Sequence, residues 1–137
     1  MITAIDTSVL IDVFGADPVF GPRSSARLRE AIGLGSIVAS EVVWAEVGAH
    51  FPVRREAEVA MSIVSVEFLP VGMEAALLAG EHWRRYRAAG GSRSRFIPDF
   101  LIGAHAMVHA DRLLTRDRGF YRRYFTELTV IDPSDAS

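Results

Sequence analysis

Short apolar runs alternate with helical segments along the whole chain, and this alternation constrains the fold more than any other feature. The runs that we interpret as strands are residues 1–6, 36–39, 66–69, 112–115 and 128–131. They lack a strict alternation of apolar and polar residues, which is typical of strands covered on both faces of a parallel sheet. The sequence therefore predicts an α/β fold, a three-layer sandwich of about five parallel strands with helices on both faces.

The segments between these runs carry the signals of helices. We predict helices at residues 9–14, 24–33, 41–50, 54–64, 73–89, 98–110 and 119–125. Ser40 is suited to cap the third helix, and Pro98 suits the first turn of the sixth. Gly90 and Gly91 close the fifth helix. No internal repeat or linker interrupts the series, so we expect one domain over residues 1–137.

Composition excludes several classes of protein. The 137 residues include no cysteine, which excludes disulfides, thiolate zinc sites and cysteine nucleophiles. Half of the residues are hydrophobic, which excludes wholesale disorder. The N-terminus lacks a basic leader, and no apolar run approaches the roughly 20 residues of a membrane span. We therefore expect a soluble cytoplasmic protein.

Charge is distributed unevenly along the chain, whose net charge is −2. Residues 84–123 contain ten arginines and three aspartates, a net charge of +7, and the segments on either side are acidic. Such a segment can form an electropositive face for a polyanion. Alternatively, the arginines solvate helix ends and pair with acids elsewhere in the fold, and charge alone does not decide between the two.

Four carboxylates fall near one edge of the predicted sheet. Ligands of open parallel sheets bind beyond the carboxyl ends of the strands. Asp6 stands at the end of the first strand, and Asp117 follows the fourth by two residues. Asp99 lies in the first turn of the helix before the fourth strand. Glu46 has apolar neighbours one turn away on its helix, so we predict that it faces inward.

Each of the three aspartates also has a purely structural interpretation. Asp6 can cap the following helix, Asp99 can complement a helix dipole, and Asp117 can be an ordinary turn residue. Glu46 is harder to explain in this way, because glutamate is rarely buried without a partner.

The combination of four acids favours a metal site over these interpretations. Carboxylates that lie close together cannot all ionise cheaply unless a cation compensates their charge. The cation that suits such oxygen ligands is Mg²⁺ or Mn²⁺. A metal ligand held rigidly by the core would explain why Asp99 lies beside the apolar run Phe100-Leu101-Ile102.

Four segments together resemble the PIN-domain ribonucleases, and among these the VapC-type toxins of bacterial toxin–antitoxin pairs. The segments are AIDTSVL (4–10), SEVVWAEV (40–47), PDFLIGAHA (98–106) and LLTRDRGFY (113–121). They span nearly the whole chain in the family's order, and the last two carry most of the resemblance. The family's four acids correspond to Asp6, Glu46, Asp99 and Asp117. Two hydroxyl residues that support the site correspond to Ser8 and Thr115.

The resemblance implies a metal-dependent endoribonuclease that acts as the toxin of a type II toxin–antitoxin pair. Mg²⁺ or Mn²⁺ held by the four acids would activate water for cleavage of RNA phosphodiester bonds. A cognate small antitoxin and a homodimer are further implied, and the apolar helices 41–51 and 73–83 offer surface for them. The arginines that lead into the site would dock the RNA backbone: Arg84, Arg85, Arg87, Arg93 and Arg95.

Two other functions remain open. A non-catalytic nucleic-acid-binding PIN domain is one, although the complete set of acids argues against it. A metal-dependent phosphohydrolase of a small phosphoester is the other, and it would need a closed pocket with phosphate clamps instead of a diffuse arginine-rich segment. His105 and His109 have the i, i+4 spacing of a zinc pair but lack the glutamate of the HExxH motif. We therefore expect the His105 ring to be packed and hydrogen-bonded.

Overall fold

The computed structural model describes residues 1–92 and 95–135. Within these residues, parallel strands form one sheet in the order β3-β2-β1-β4-β5. The strands are β1 (Ile2–Ile5), β2 (Ser36–Ala39), β3 (Val66–Phe68), β4 (Arg112–Leu114) and β5 (Val130–Ile131). The helices are α1 (Thr7–Phe14), α2 (Gly21–Leu34), α3 (Glu41–His50), α4 (Arg54–Ile63), α5 (Gly72–Ala88), α6 (Ile97–His109) and α7 (Arg118–Tyr124). The predicted α/β fold is confirmed.

The winding of the sheet reverses next to β1. The chain moves from β1 to β2 and β3 on one side, then returns across β1 to β4 and β5 on the other. Because crossovers between parallel strands are right-handed, α1 to α4 cover one face of the sheet and α5 to α7 cover the other. The helices that follow β1 and β4 therefore leave on opposite faces. This opens a crevice at the carboxyl ends of β1 and β4.

Aromatic rings fill the space between α5, α6 and α7. Phe100 of α6 is fully buried, and its ring centroid lies 5.4 Å from those of Tyr86 and Phe120. Phe125, which follows α7, lies against Gly103 so closely that a Cβ on this glycine would come within 2.6 Å of the ring. This close contact packs α6 against the end of α7. In that position the first turn of α6 faces the crevice.

The two histidines of α6 fasten that helix to the segment between β3 and α5. Nε2 of His105 lies 2.8 Å from the carbonyl oxygen of Leu69, and Nε2 of His109 lies 2.7 Å from that of Val71. Burial lowers the pKa of His105, which favours the neutral ring and a donated Nε2–H. The prediction of a packed and hydrogen-bonded His105 ring is confirmed.

The predicted helix ends agree with the structure to within about three residues. The Ser40 side chain accepts a hydrogen bond from the amide of Val42 at 3.3 Å, which confirms it as the N-cap of α3. Gly90 has a φ of +80° directly after α5, as expected for a terminating glycine. Helix α2 begins three residues earlier than predicted, because the Asp17 carboxylate accepts from two amides that lead into it.

None of the helices within residues 1–92 and 95–135 has the length and apolar character needed to cross a membrane.

Candidate active site

Strands β1 and β4 bring Asp6 and Thr115 together at the floor of the crevice. The register pairs Ile5 with Leu114, and the Asp6 amide donates to the Leu114 carbonyl at 2.9 Å. Thr115 directly follows β4. It is fully buried, and its hydroxyl donates to Asp6 Oδ2 at 2.6 Å. The side chains beyond the two strands therefore meet where the open sheet predicts a ligand site.

Asp6 is a buried carboxylate held by hydroxyl groups. Its side chain also accepts from the Ser8 hydroxyl at 3.3 Å, and the residue is 8% exposed. Burial raises its pKa from 3.8 to about 6, and the negative charge of Glu46 adds to this rise, while the Thr115 and Ser8 hydroxyls oppose it. Asp6 occupies the N-cap position of α1 but makes no side-chain capping bond. The capping interpretation is therefore wrong.

Thr115 links two of the acids. Its hydroxyl donates to Asp6 and accepts from the amide of Asp117 at 2.9 Å. One buried side chain thus fixes both the carboxylate after β1 and the backbone that carries the carboxylate after β4. This is a specific form of the supporting role predicted for Thr115.

Asp117 and Asp99 meet at the guanidinium of Arg95. Nη1 of Arg95 donates to Asp117 Oδ2 at 2.5 Å and lies 4.0 Å from Asp99 Oδ1. The guanidinium also lies over the ring of Phe120, 4.3 Å from its centroid. Asp99 is half-buried in the first turn of α6, and its Oδ2 accepts from the Phe96 amide at 3.4 Å. Asp99 therefore serves its helix terminus and faces the crevice at once.

The pKa of Asp99 reflects this mixed environment. Burial raises it most, and the charge of Asp117 raises it further. The Phe96 amide and the Arg95 guanidinium oppose the rise. A carboxylate with a raised pKa is one that an added cation would stabilise in its ionised form.

Tyr121 of α7 lies among three aspartates of the crevice. The phenol is 1% exposed and donates to the backbone carbonyl of Asp99 at 3.3 Å. Its pKa is raised first by burial and then by the charges of Asp6, Asp99 and Asp117. All three carboxylates therefore lie close enough to one buried group to act on it.

The structure corrects the prediction for Glu46. Its side chain is exposed, because the buried residues of α3 are Val43 and Val47 on a different side of the helix. Glu46 is nevertheless at the rim of the crevice, where its Oε1 accepts from the Thr7 hydroxyl at 2.8 Å. Its side chain therefore lies on the solvent side of the crevice and not in the core.

The arginines predicted to dock a polyanion lie in different surroundings. Arg84, Arg85 and Arg87 are exposed on α5, and the Arg87 guanidinium lies 5.1 Å from the ring of Trp83. Arg95 lies in the acidic crevice itself. Arg93 is outside the described residues. Contacts of these residues with RNA stay a prediction.

Sequence reasoning missed an ion pair beside the site between the exposed Arg116 and the buried Asp12. Arg116 donates Nε to Asp12 Oδ2 at 2.6 Å and Nη2 to Asp12 Oδ1 at 3.1 Å. Asp12 is 3% exposed and also accepts from the Ser24 hydroxyl at 3.0 Å. A signal was present, since Asp12 is a carboxylate within the apolar run VLIDVF, as Asp99 is within its own. Thr7, in the DTS turn, was also missed.

The donor set suits a hard divalent cation, although the ligands are not drawn into a closed cage. Among residues 1–92 and 95–135, no three histidine, aspartate or glutamate side chains converge as a group that could hold a metal ion. Mg²⁺ is usually held by one or two carboxylates and keeps several waters, so such a cage is not required. The crevice is suited to bind a cation. It offers oxygen donors, the pKa of Asp6 is raised, and a guanidinium already lies between two of its aspartates.

Fold and crevice together define an α/β protein that presents carboxylates at the carboxyl edge of a parallel sheet. The sequence model of the PIN domain family matches residues 3–126, so the chain belongs to that family. No significant match was found among curated protein sequences.

Solved structures share the fold over the full chain. VapBC2 from Rickettsia felis, bound to a DNA fragment from their promoter, has a TM-score of 0.76 at 18% identity, covering 96% of this chain and 98% of that chain. VapBC-1 from nontypeable Haemophilus influenzae has a TM-score of 0.75 at 19% identity, covering 98% and 100%. A toxin–antitoxin complex from Klebsiella pneumoniae has a TM-score of 0.69 at 19% identity, covering 98% and 99%.

Proposed function

We propose that this protein is a metal-dependent endoribonuclease and the toxin of a type II toxin–antitoxin pair. The observation that carries the proposal is that Asp6, Asp99 and Asp117 line one crevice of a PIN fold, with Glu46 at its rim. Thr115 joins Asp6 to Asp117, and Arg95 joins Asp117 to Asp99. Polar groups of this kind at the switch point of a parallel sheet are typical of a ligand site and not of a fold requirement.

The four acids are the residues that would hold Mg²⁺ or Mn²⁺. When bound, the ion supplies Lewis acidity and an activated water for phosphodiester hydrolysis. Thr115 and Ser8 hold the Asp6 carboxylate in one orientation, and Thr7 does the same for Glu46. Arg95 balances the charge of Asp99 and Asp117 in the structure described here.

A cognate antitoxin and a second copy of the chain are the proposed protein partners. A relative in fold forms part of a toxin–antitoxin complex. Met73 and Leu77 of α5 are 79% and 65% exposed, and we expect a second copy to cover this apolar surface. A groove of about 790 Å³ lined by Trp44, Phe51 and Phe68, among others, is the surface on which we expect part of the antitoxin to pack.

Cleavage of end-labelled single-stranded RNA tests the enzymatic proposal. We expect cleavage with Mg²⁺ or Mn²⁺, none with excess EDTA, and none by Asp117→Asn, with Glu127→Gln as a matched exposed control. RNA that is bound but never cleaved would favour the non-catalytic PIN domain. Hydrolysis of a small phosphoester without cleavage of RNA would favour the phosphohydrolase. Light scattering on the 15.0 kDa chain that finds only monomer at high concentration would contradict the dimer.

A further inference from the structure

A cationic cavity opens beside Asp117. It has a volume of about 500 Å³, within the range of small-molecule sites. Arg116 and Arg118, which flank Asp117 in the sequence, both line it. The main residues of its wall are Phe20, Arg23, Arg116, Arg118, Asp132 and Ser134.

The cavity is tied to the acidic crevice through the backbone. The amide of Arg116 donates to the Ser8 hydroxyl at 3.3 Å, and that hydroxyl donates to Asp6. The Arg116 side chain is fixed in turn by its two hydrogen bonds to the buried Asp12. A molecule in the cavity would therefore lie at a set distance from the carboxylates.

The wall of the cavity carries an excess of positive charge. Arg23 is exposed and makes no ion pair with the described residues, and Arg118 pairs with Asp135 at 3.2 Å on an exposed surface where such pairs exchange easily. The acid that lines the cavity, Asp132, is already engaged by the amide and hydroxyl of Ser134. Two guanidinium groups are thus accessible to an anion.

An aromatic surface lies next to these cations. Phe20 is 43% exposed although it is a large apolar side chain. The Arg116 guanidinium packs on the ring, 4.1 Å from its centroid. A flat apolar ring beside accessible guanidinium groups is the combination that binds a base by stacking and its phosphate by charge. An acidic peptide would use the arginines but has no need of the ring.

We propose that this cavity binds one nucleotide of single-stranded RNA next to the scissile phosphate, with Arg23 and Arg118 on the phosphate and Phe20 against the base. The proposal rests on the proposed nuclease function, and it names the part of the substrate that the cavity recognises. It differs from the arginine contacts expected on α5, which lie on another element of the fold.

Binding of a fluorescently labelled single-stranded RNA in EDTA tests the proposal without cleavage. Anisotropy titrations compare Phe20→Ala, Arg23→Gln and the wild-type chain at several salt concentrations, with thermal melts to show that both variants fold. Arg55→Gln is the control, since Arg55 is an exposed arginine on α4 and does not line the cavity. Unlabelled polyglutamate serves as a competitor.

Phe20→Ala should weaken RNA binding at least about fivefold with an unchanged salt slope, because stacking does not release counterions. Arg23→Gln should weaken binding and reduce the magnitude of the slope by about 0.7, the value of one phosphate contact to a single strand. Arg55→Gln should match the wild type.

Several results would overturn the proposal. The first is no RNA binding by the wild type in low salt, and the second is equal RNA affinity of all variants. The third is that polyglutamate competes with RNA, and that Arg23→Gln weakens this competition while Phe20→Ala leaves it unchanged. Equal affinities together with Mg²⁺-dependent cleavage would leave the nuclease function standing without this subsite. Weakened binding by both variants without any cleavage would support the subsite and contradict the nuclease function.

Discussion

Arg95 donates to Asp117 at 2.5 Å, and the same nitrogen lies 4.0 Å from Asp99. The arginine thereby places positive charge where two carboxylates meet, which is also where a divalent cation would neutralise them. The Phe120 ring beneath the guanidinium helps to keep it there. Arg95 and the proposed metal would therefore compete for the same carboxylate oxygens.

Replacing Arg95 by alanine should strengthen metal binding. We expect the affinity for Mn²⁺ to rise about two- to fivefold, since ion pairs with this degree of exposure contribute about 0.2–1 kcal/mol. Calorimetry at low salt measures the change, and the exposed Arg87→Ala variant should bind Mn²⁺ as the wild type does. Weaker binding by Arg95→Ala would contradict this competition.

Asp6 should make the metal-free protein less stable as the pH rises. Its folded pKa of about 6 exceeds the ordinary 3.8, so between these values the folded state holds a proton that the unfolded state has lost. The stability contributed by this protonation is complete at low pH and is lost as the pH rises through about 6. Between pH 5 and pH 8 the loss should be about 1 kcal/mol.

Urea denaturation in EDTA at pH 5 and pH 8 measures this effect as the difference between the wild type and Asp6→Asn. The comparison cancels the titration of other groups, among them His105, whose lowered pKa acts in the opposite direction. Parallel pH profiles of the two proteins would show that Asp6 does not titrate as its burial implies.

Asp99→Asn should abolish cleavage and leave the metal-free protein as stable as the wild type, or more stable. The two side chains are nearly isosteric, and burial together with the Asp117 charge already disfavours the ionised form. An acid that serves only its helix terminus would instead contribute about 0.3–1 kcal/mol, which asparagine would lose. Thermal melts in EDTA separate the two cases by sign. A lower melting temperature with intact cleavage would assign Asp99 to the scaffold.

Thr115→Val should destabilise the fold by about 1–3 kcal/mol, the cost of leaving buried polar groups without a partner. It should also raise the pKa of Asp6 further, because the Thr115 hydroxyl lowers that pKa. Urea denaturation and a carboxyl NMR titration measure the two effects. Thr115→Ser keeps the hydroxyl and should restore the wild-type pKa of Asp6. If it does not, the change in that pKa would come from altered packing and not from the lost hydrogen bond.

The exposed arginines of α5 should contribute to RNA binding through charge. We expect the combined Arg84→Gln, Arg85→Gln and Arg87→Gln variant to weaken binding and to reduce the magnitude of the salt slope by about 2, since each contact to a single strand contributes about 0.7. Arg54→Gln with Arg55→Gln on α4 is the matched control. An unchanged slope in the α5 variant would make these arginines a solvated surface.

The sequence predicts the sheet and the placement of three of the four acids for a physical reason. Buried parallel strands are continuous apolar runs, and the residues that follow them must lie at one edge, as Asp6 and Asp117 do. Asp99 is found because a carboxylate in an apolar run is costly without a purpose.

Two features of the site escape such reasoning. The apolar residues of α3 lie on nearly every side of the helix, so their periodicity does not identify the buried face. Glu46 is therefore wrongly predicted to lie on that face. The pairs Arg95–Asp117 and Arg116–Asp12 join residues 22 and 104 positions apart. No local pattern encodes contacts at those separations, because they depend on how helices pack across the sheet.

The hydrogen bond from Thr115 to Asp6 joins residues 109 positions apart. During synthesis Asp6 leaves the ribosome 109 residues before Thr115, which follows the strand that completes the surroundings of Asp6. A growing or truncated polypeptide that ends before residue 112 therefore carries Asp6 without the neighbours that orient it. The order of the strands therefore delays assembly of the crevice until β4 has been made, and a shorter nascent chain would lack the site that the proposed nuclease activity requires.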